Sequence, residues 1–212
     1  MKVMKFGGSS LADAVRYLRV TQICMQAHSE DGAAVVLSAP KGVTNALSLL
    51  CDQAASGKDY GELFAKLEMT LNSIADELAA EVDGFNLEQV KALIAEKLHT
   101  ISERLKGIRL LGMAPAPIAA SILSIGEYVS VNLFSQVLTA NGILNRIIDP
   151  VEHVVAEGDF LDSIADLQAS RARFTDVPND GSELLVMPGF VAANDAGEKV
   201  TLGRNGSDYS AA

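Results

Sequence analysis

Apolar residues fall into two kinds of run along this chain: short unbroken ones, and long ones spaced three or four residues apart. Val3 to Phe6 opens as a strand. Leu11, Val15, Leu18 and Met25 then recur at helical spacing. Ser10-Leu-Ala-Asp13 in front of them reads as a capping box, with Ser10 closing the helix start and Asp13 reaching back. Ala33-Ala-Val-Val-Leu-Ser38 is continuous, apolar and β-rich, as in a strand buried on both faces, and it leads through Ala39-Pro-Lys-Gly42 to a helix starting near Thr44. Leu63, Leu67, Leu71, Ile74 and Leu78 form one helical stripe and Val90, Ile94, Leu98, Ile101 and Leu105 a second, parted at Asp83-Gly84. A third long helix is predicted over Ile118 to Ala140, stopped by Asn141-Gly142. Leu144 to Ile148 and Leu184 to Met187 return as strands. Phe190 to Leu202 reads as a hairpin around Asn194-Asp-Ala-Gly197, and Tyr209 to Ala212 as the first turn of another helix.

Strands alternating with helices predict an α/β fold with a mostly parallel sheet covered on both faces. Such sheets bind ligands beyond the carboxyl ends of their strands. Lys5, Ser38 and the Pro188-Gly-Phe190 run are expected at those ends. The sequence shows no internal repeat and no low-complexity linker.

Composition narrows the functional classes. Of 212 residues 49% are apolar and 21% charged, which excludes a disordered chain. The net charge of −10, with no basic cluster, disfavours a nucleic-acid surface. No apolar run approaches the roughly 18 to 20 residues of a bilayer span, and glycines follow Lys2 and Lys5 where a signal peptide would have its apolar core. Cys24 and Cys51 stand alone in helical sequence and read as reduced core thiols of a cytoplasmic protein. An acidic chain that binds an anion must gather cations locally, against its own field.

Four stretches could carry chemistry. In Lys5-Phe-Gly-Gly-Ser-Ser10, adjacent glycines leave the backbone bare and permit positive φ, a helix start points free N–H groups at the bend, and Lys5 adds a cation. The set makes an anion cradle suited to polyphosphate, although it is neither a Walker loop nor a dinucleotide fingerprint; the alternative is a tight turn beside a solvated lysine. In Gly203-Arg-Asn-Gly-Ser-Asp208, Arg204 suits bidentate capture of a carboxylate or phosphate, and Asp208 could orient Lys5 or sit near a bound metal. Otherwise Arg204 is a surface charge and Asp208 a helix cap. Glu127, in Ser124-Ile-Gly-Glu-Tyr-Val-Ser130, lies among apolar helix positions and faces either solvent or a cationic ligand group. Ser38-Ala-Pro-Lys-Gly-Val-Thr-Asn45 ends a buried strand in hydroxyls. His28, His99 and His153 fall in no triad or zinc spacing, which counts against a histidine hydrolase and a zinc site.

Lys5-Phe-Gly-Gly-Ser-Ser10, Leu37-Ser-Ala with Thr44-Asn45, Gly126-Glu127 and Leu202-Gly-Arg-Asn-Gly-Ser-Asp-Tyr-Ser-Ala-Ala212 together resemble, in order and spacing, the aspartate kinases of the amino-acid kinase family. With Ile148-Asp-Pro-Val-Glu152 upstream, the form is most similar to the kinase part of bifunctional aspartokinase/homoserine dehydrogenases. The resemblance spans the whole chain and implies a three-layer, carbamate kinase-like fold, truncated. Residues 1–212 would be its aspartate-binding lobe, with a helical insertion over about 62–117. The nucleotide lobe, regulatory ACT domains and dehydrogenase, the only part using NADP, would lie outside these residues. It implies γ-phosphoryl transfer from ATP, with Mg2+, to the β-carboxylate of L-aspartate. Lys5 would steady the phosphoryl group, Gly7, Gly8 and Ser9 would donate to phosphate oxygens, and Asp208 would organise Lys5. Arg204 would clamp a substrate carboxylate, Glu127 its ammonium, and Ser38 and Thr44 would add hydrogen bonds. No protein-held metal site, nucleic-acid partner or membrane is implied. A homo-oligomer, little activity for 1–212 alone, and a place in threonine, methionine and lysine biosynthesis are. A kinase for glutamate or N-acetylglutamate, and a non-catalytic module of the same fold, are the competing readings.

Overall fold

The computed structural model describes residues 1–212 except 178, 179, 204 and 205. The chain runs through β1 (Lys2–Phe6), a 3-10 turn (Gly8–Leu11), α1 (Ala14–Asp31), β2 (Ala33–Leu37), α2 (Val43–Ala55), α3 (Gly61–Glu81), α4 (Leu87–Leu111), α5 (Ala116–Leu123) and α6 (Ile125–Ala140). It continues through β3 (Asn145–Ile147), α7 (Pro150–His153), β4 (Ala156–Asp159), β5 (Asp162–Ala165), α8 (Leu167–Arg173), β6 (Leu184–Pro188), β7 (Val191–Ala193), β8 (Lys199–Thr201) and α9 (Gly206–Tyr209). Four strands form a parallel sheet in the order β1-β2-β6-β3. Phe6 is in register with Leu37, and Leu37 with Pro188. The strands therefore stop abreast. The loops after β1, β2 and β6 leave from one edge of the sheet, where an open α/β fold places its ligands.

One face of the sheet carries α1 and α6, with α2 to α5 packed outside them. Tyr17 is fully buried in this layer and shares a 2.8 Å hydrogen bond with the Ser130 hydroxyl on α6, so the phenol keeps a partner inside the core. The other face packs Val36, Leu185 and Met187 against Val154, Ala192 and Val200 from the short helices and hairpins. α3 and α4 expose one face and bury the stripes expected of them, except Leu63, which is only partly buried. Gly84 turns the chain between them at φ 81°.

The structure corrects several sequence expectations. The capping box is displaced: Asp13, not Ser10, caps α1, accepting the Arg16 amide at 2.9 Å, while Ser10 lies in the 3-10 turn. The helix therefore starts three residues later and turns a different face inward. Ala14, Tyr17, Val20, Thr21 and Cys24 are buried, and Val15 is 75% exposed. The single helix expected over 118–140 is two, joined at Ser124, whose hydroxyl donates to the Ser121 carbonyl at 3.1 Å and competes with the regular ladder. Ala116–Ala140 also has the length and composition of a bilayer span, against expectation; 67% of that apolar window is buried inside the fold, as in a core helix. The β4–β5 hairpin, α7 and α8 were not expected.

Candidate active site

A cleft of about 810 Å³ opens at the carboxyl edge of the sheet, floored by the ends of β1 and β2 and walled by α6, Gly203 and the first residues of α9. Lys5, the penultimate residue of β1, reaches into it, and its Nζ lies 2.8 Å from Oδ1 of Asp208. Residues from opposite ends of the chain thus meet over one spot. An ammonium has three donors, so one held by Asp208 leaves two to face the cleft. Ser9 is exposed beside it in the 3-10 turn, whose first amides have no partner within the turn.

The paired glycines serve a different purpose from the one expected. Gly7 has φ −79° and neither glycine is left-handed. What they provide is space. A Cβ on Gly8 would stand 2.8 Å from the Ala39 carbonyl oxygen and 3.4 Å from the Lys41 Cα, and one on Gly7 would sit 3.8 Å from the Lys5 Nζ. The loops after β1 and β2 can pack together only if residue 8 lacks a side chain.

Glu127 is not at the surface. It is 2% exposed on the first turn of α6, and it lines the cleft. Burial pushes its carboxyl up to about 8, opposed by the backbone N–H groups of Ala39 and of Glu127 itself. Among the described residues its Oε2 has no hydrogen-bond partner. A buried acceptor left unmade costs on the order of 1–3 kcal/mol, so the atom is suited to a donor that arrives with a ligand. Gly126 brings this turn in: a Cβ there would stand 2.6 Å from the Ala39 Cβ and 2.9 Å from Val43.

Ser38 ends β2 and donates its hydroxyl to Ser207 at 2.9 Å, while its amide extends the ladder to the Phe6 carbonyl. Thr44, half-buried on the first turn of α2, also faces the cleft. The structure therefore brings Lys5, Gly8, Ser9, Ser38, Thr44, Glu127 and Asp208 to one cavity, with Gly7 beside Lys5. Arg204 falls outside the described residues.

Lys41 and Asp162 were not singled out in the sequence. Lys41 is an exposed cation on the loop packed against Gly8, and Asp162 stands across the cleft at the start of β5. Nothing in a lone lysine or a short polar hairpin signals either. Phe190 adopts φ 69° at the corner after β6, a left-handed conformation costly for a bulky residue and typical of sites over-determined by packing. Gly189 and Gly206 make that corner possible, since a Cβ on either would come within 2.7 Å of Ser207 or Leu202. The Pro188-Gly-Phe190 run lies at the strand end where it was expected, but nothing in it signals the left-handed corner.

Comparison with known proteins gives the family. The sequence model of the amino acid kinase family matches residues 1–212. A bifunctional aspartokinase/homoserine dehydrogenase of Haemophilus influenzae is 37% identical over the whole chain, which covers 26% of that protein. Lysine-sensitive aspartokinase 3 of Escherichia coli is 31% identical over 99% of the chain and 45% of its own length. The crystal structure of E. coli aspartokinase III in complex with aspartate and ADP superimposes with a TM-score of 0.82 at 25% identity, covering 98% of this chain and 44% of that one. The chain thus spans about a quarter to a half of the relatives it matches.

Proposed function

The chain belongs to the amino acid kinase family, and from that premise we propose that it forms the acceptor-binding half of an aspartate kinase. In this reading the complete protein transfers the γ-phosphoryl group of MgATP to the β-carboxylate of L-aspartate, giving an acyl phosphate and ADP. The observation that carries it is the pairing of Lys5 with Asp208 in the same cleft as the orphaned carboxylate oxygen of Glu127. One end of the site offers a cation, the other an unpaired anion. That is the polarity a free amino acid and a polyphosphate require together.

The chemistry asks for little else. An aspartate carboxylate is already ionised at neutral pH, so its oxygen attacks phosphorus without a general base, and the bond to ADP breaks in line. The barrier is repulsion between two anions, which positioned positive charge offsets. Lys5, oriented by Asp208, faces the transferring group, and the amides of Gly8 and Ser9 face phosphate oxygens. Glu127 receives the ammonium, with Ser38 and Thr44 as further hydrogen-bond partners and Arg204 as the clamp for a carboxylate. Asp208 and Asp162 are the cleft carboxylates that would meet a magnesium ion brought with the nucleotide, which would be held chiefly by phosphate and water and would supply further positive charge at the transferring group. The adenine and ribose contacts are assigned to residues beyond this region, in keeping with the greater length of the relatives.

The test is an acceptor panel on the complete protein, with the acyl phosphate trapped by hydroxylamine. Aspartate should give the hydroxamate, and glutamate and N-acetylglutamate at most traces. Transfer to glutamate in preference, or to none of the three, contradicts the proposal.

A further inference from the structure

Behind Glu127, on the side of α6 away from the cleft, lies a second polar constellation that the proposed reaction does not use. Tyr128 turns about 100° from its neighbour around the helix. Its hydroxyl donates to Asp149 Oδ1 at 2.7 Å, and the same oxygen accepts the Val151 amide that starts α7. Over the ring, 4.2 Å from its centroid, sits the ammonium of Lys199. Lys199 is the first residue of β8, paired with Ala193, and that strand leads to Gly203, whose carbonyl accepts, at 2.9 Å, the Gly206 amide that opens α9. Among the described residues Lys199 makes no ion pair within 4 Å.

We propose that Tyr128 and Lys199 are positioning residues, whose stacked contact fixes the distance between the turn bearing Glu127 and the short helix α9 bearing Asp208. The inference rests on the reading above, because it assigns those two elements to the acceptor's ammonium and to the phosphoryl group that the acceptor attacks. A half-buried ammonium is a poor choice for simple packing. Burial pushes Lys199 below the usual lysine range; the Asp149 carboxylate opposes that shift, and Arg104 and Lys97 add repulsion. A leucine or methionine would fill the same space without that cost. What a cation adds is direction: it is attracted to the ring face and to no other part of α6. Gly126 presses the same turn onto the 39–43 loop from the opposite side, so the Glu127 carboxylate is held between two fixed surfaces. The acceptor's ammonium is then held at one set distance from the Lys5–Asp208 pair that faces the transferring group.

The experiment uses the complete protein with Lys199→Gln, Lys199→Arg, Tyr128→Leu and Tyr128→Phe. Lys199→Gln and Tyr128→Leu should each raise the KM for aspartate about tenfold, with kcat and the KM for MgATP within about twofold. The double variant should be no worse than either alone. Lys199→Arg keeps a cation on the ring, Tyr128→Phe keeps the ring, and both should stay near the wild-type KM. Folded variants whose aspartate KM is unchanged overturn the inference, as does a lowered melting temperature with KM intact. If Tyr128→Leu does not fold, the Gln and Arg substitutions at Lys199 carry the same comparison. A wild-type protein that phosphorylates no aspartate overturns the underlying reading and this inference with it; an active wild type with indifferent variants overturns the inference alone.

Discussion

At Glu127 a carboxyl raised to about 8 by burial faces the cleft with one oxygen unpartnered. At pH 7 the empty site therefore holds mostly the neutral acid, whereas an ammonium ligand needs the anion. Acceptor binding should expel that proton, so affinity for aspartate should weaken by up to about tenfold per unit as the pH falls below 8. Calorimetry at pH 7 in buffers of different ionisation enthalpy should detect close to one proton released, and Glu127→Gln should abolish the release; no release from the wild type would contradict the assignment. The empty fold carries the opposite linkage. Because the folded value lies above the ordinary 4.5, this group's stabilising contribution is complete at acid pH and is lost as the pH rises through about 8. Glu127 was legible in the sequence as a carboxylate beside a glycine on an apolar helix, but its burial was not, because the Ala39 loop that covers it lies far away along the chain. Lys5 and Asp208 were legible only jointly. The left-handed Phe190 and the cleft-facing Lys41 carry no local signal.

Glycines at the junctions between elements decide how those elements meet. Gly126→Ala would drive a methyl into Ala39 and Val43, and overpacking of this kind costs about 1–3 kcal/mol. It should lower the melting temperature and raise the aspartate KM together, since the displaced turn bears Glu127. Gly8→Ala meets a backbone carbonyl instead of a pliable side chain and should weaken MgATP use more than aspartate binding. Leu105→Ala, deep in the α4 stripe, should cost about 2–5 kcal/mol while leaving the aspartate KM of the folded protein unchanged; a changed KM would show that α4 shapes the site. Stripes such as those of α3 and α4 were readable because one apolar face meets one packing partner. The face of α1 was misread because Tyr17 and Thr21 look polar, yet both satisfy their hydroxyls internally. The β4–β5 hairpin escaped notice because two four-residue strands with mostly exposed residues show little alternation.

Across the whole molecule, strands in register bring loops far apart in sequence to one sheet edge, and set Lys5 and Lys41 in one cleft of a chain of net charge −10. The order of elements made the parallel sheet readable, and Asn194-Asp-Ala-Gly197 the β7–β8 hairpin of the second layer; the β4–β5 hairpin beside it was not. Since relatives extend well beyond the region matched, residues 1–212 in isolation should bind the acceptor yet turn over little, and near-normal turnover by that piece would place the nucleotide contacts within it. The central claim is that the Lys5 ammonium, oriented by Asp208, stabilises the phosphoryl group in flight. Single-turnover transfer from MgATP to aspartate by the complete Lys5→Met protein tests it most directly. The rate should fall by about 10²–10³ with aspartate binding within about twofold of wild type; a rate within about threefold of wild type would contradict the account.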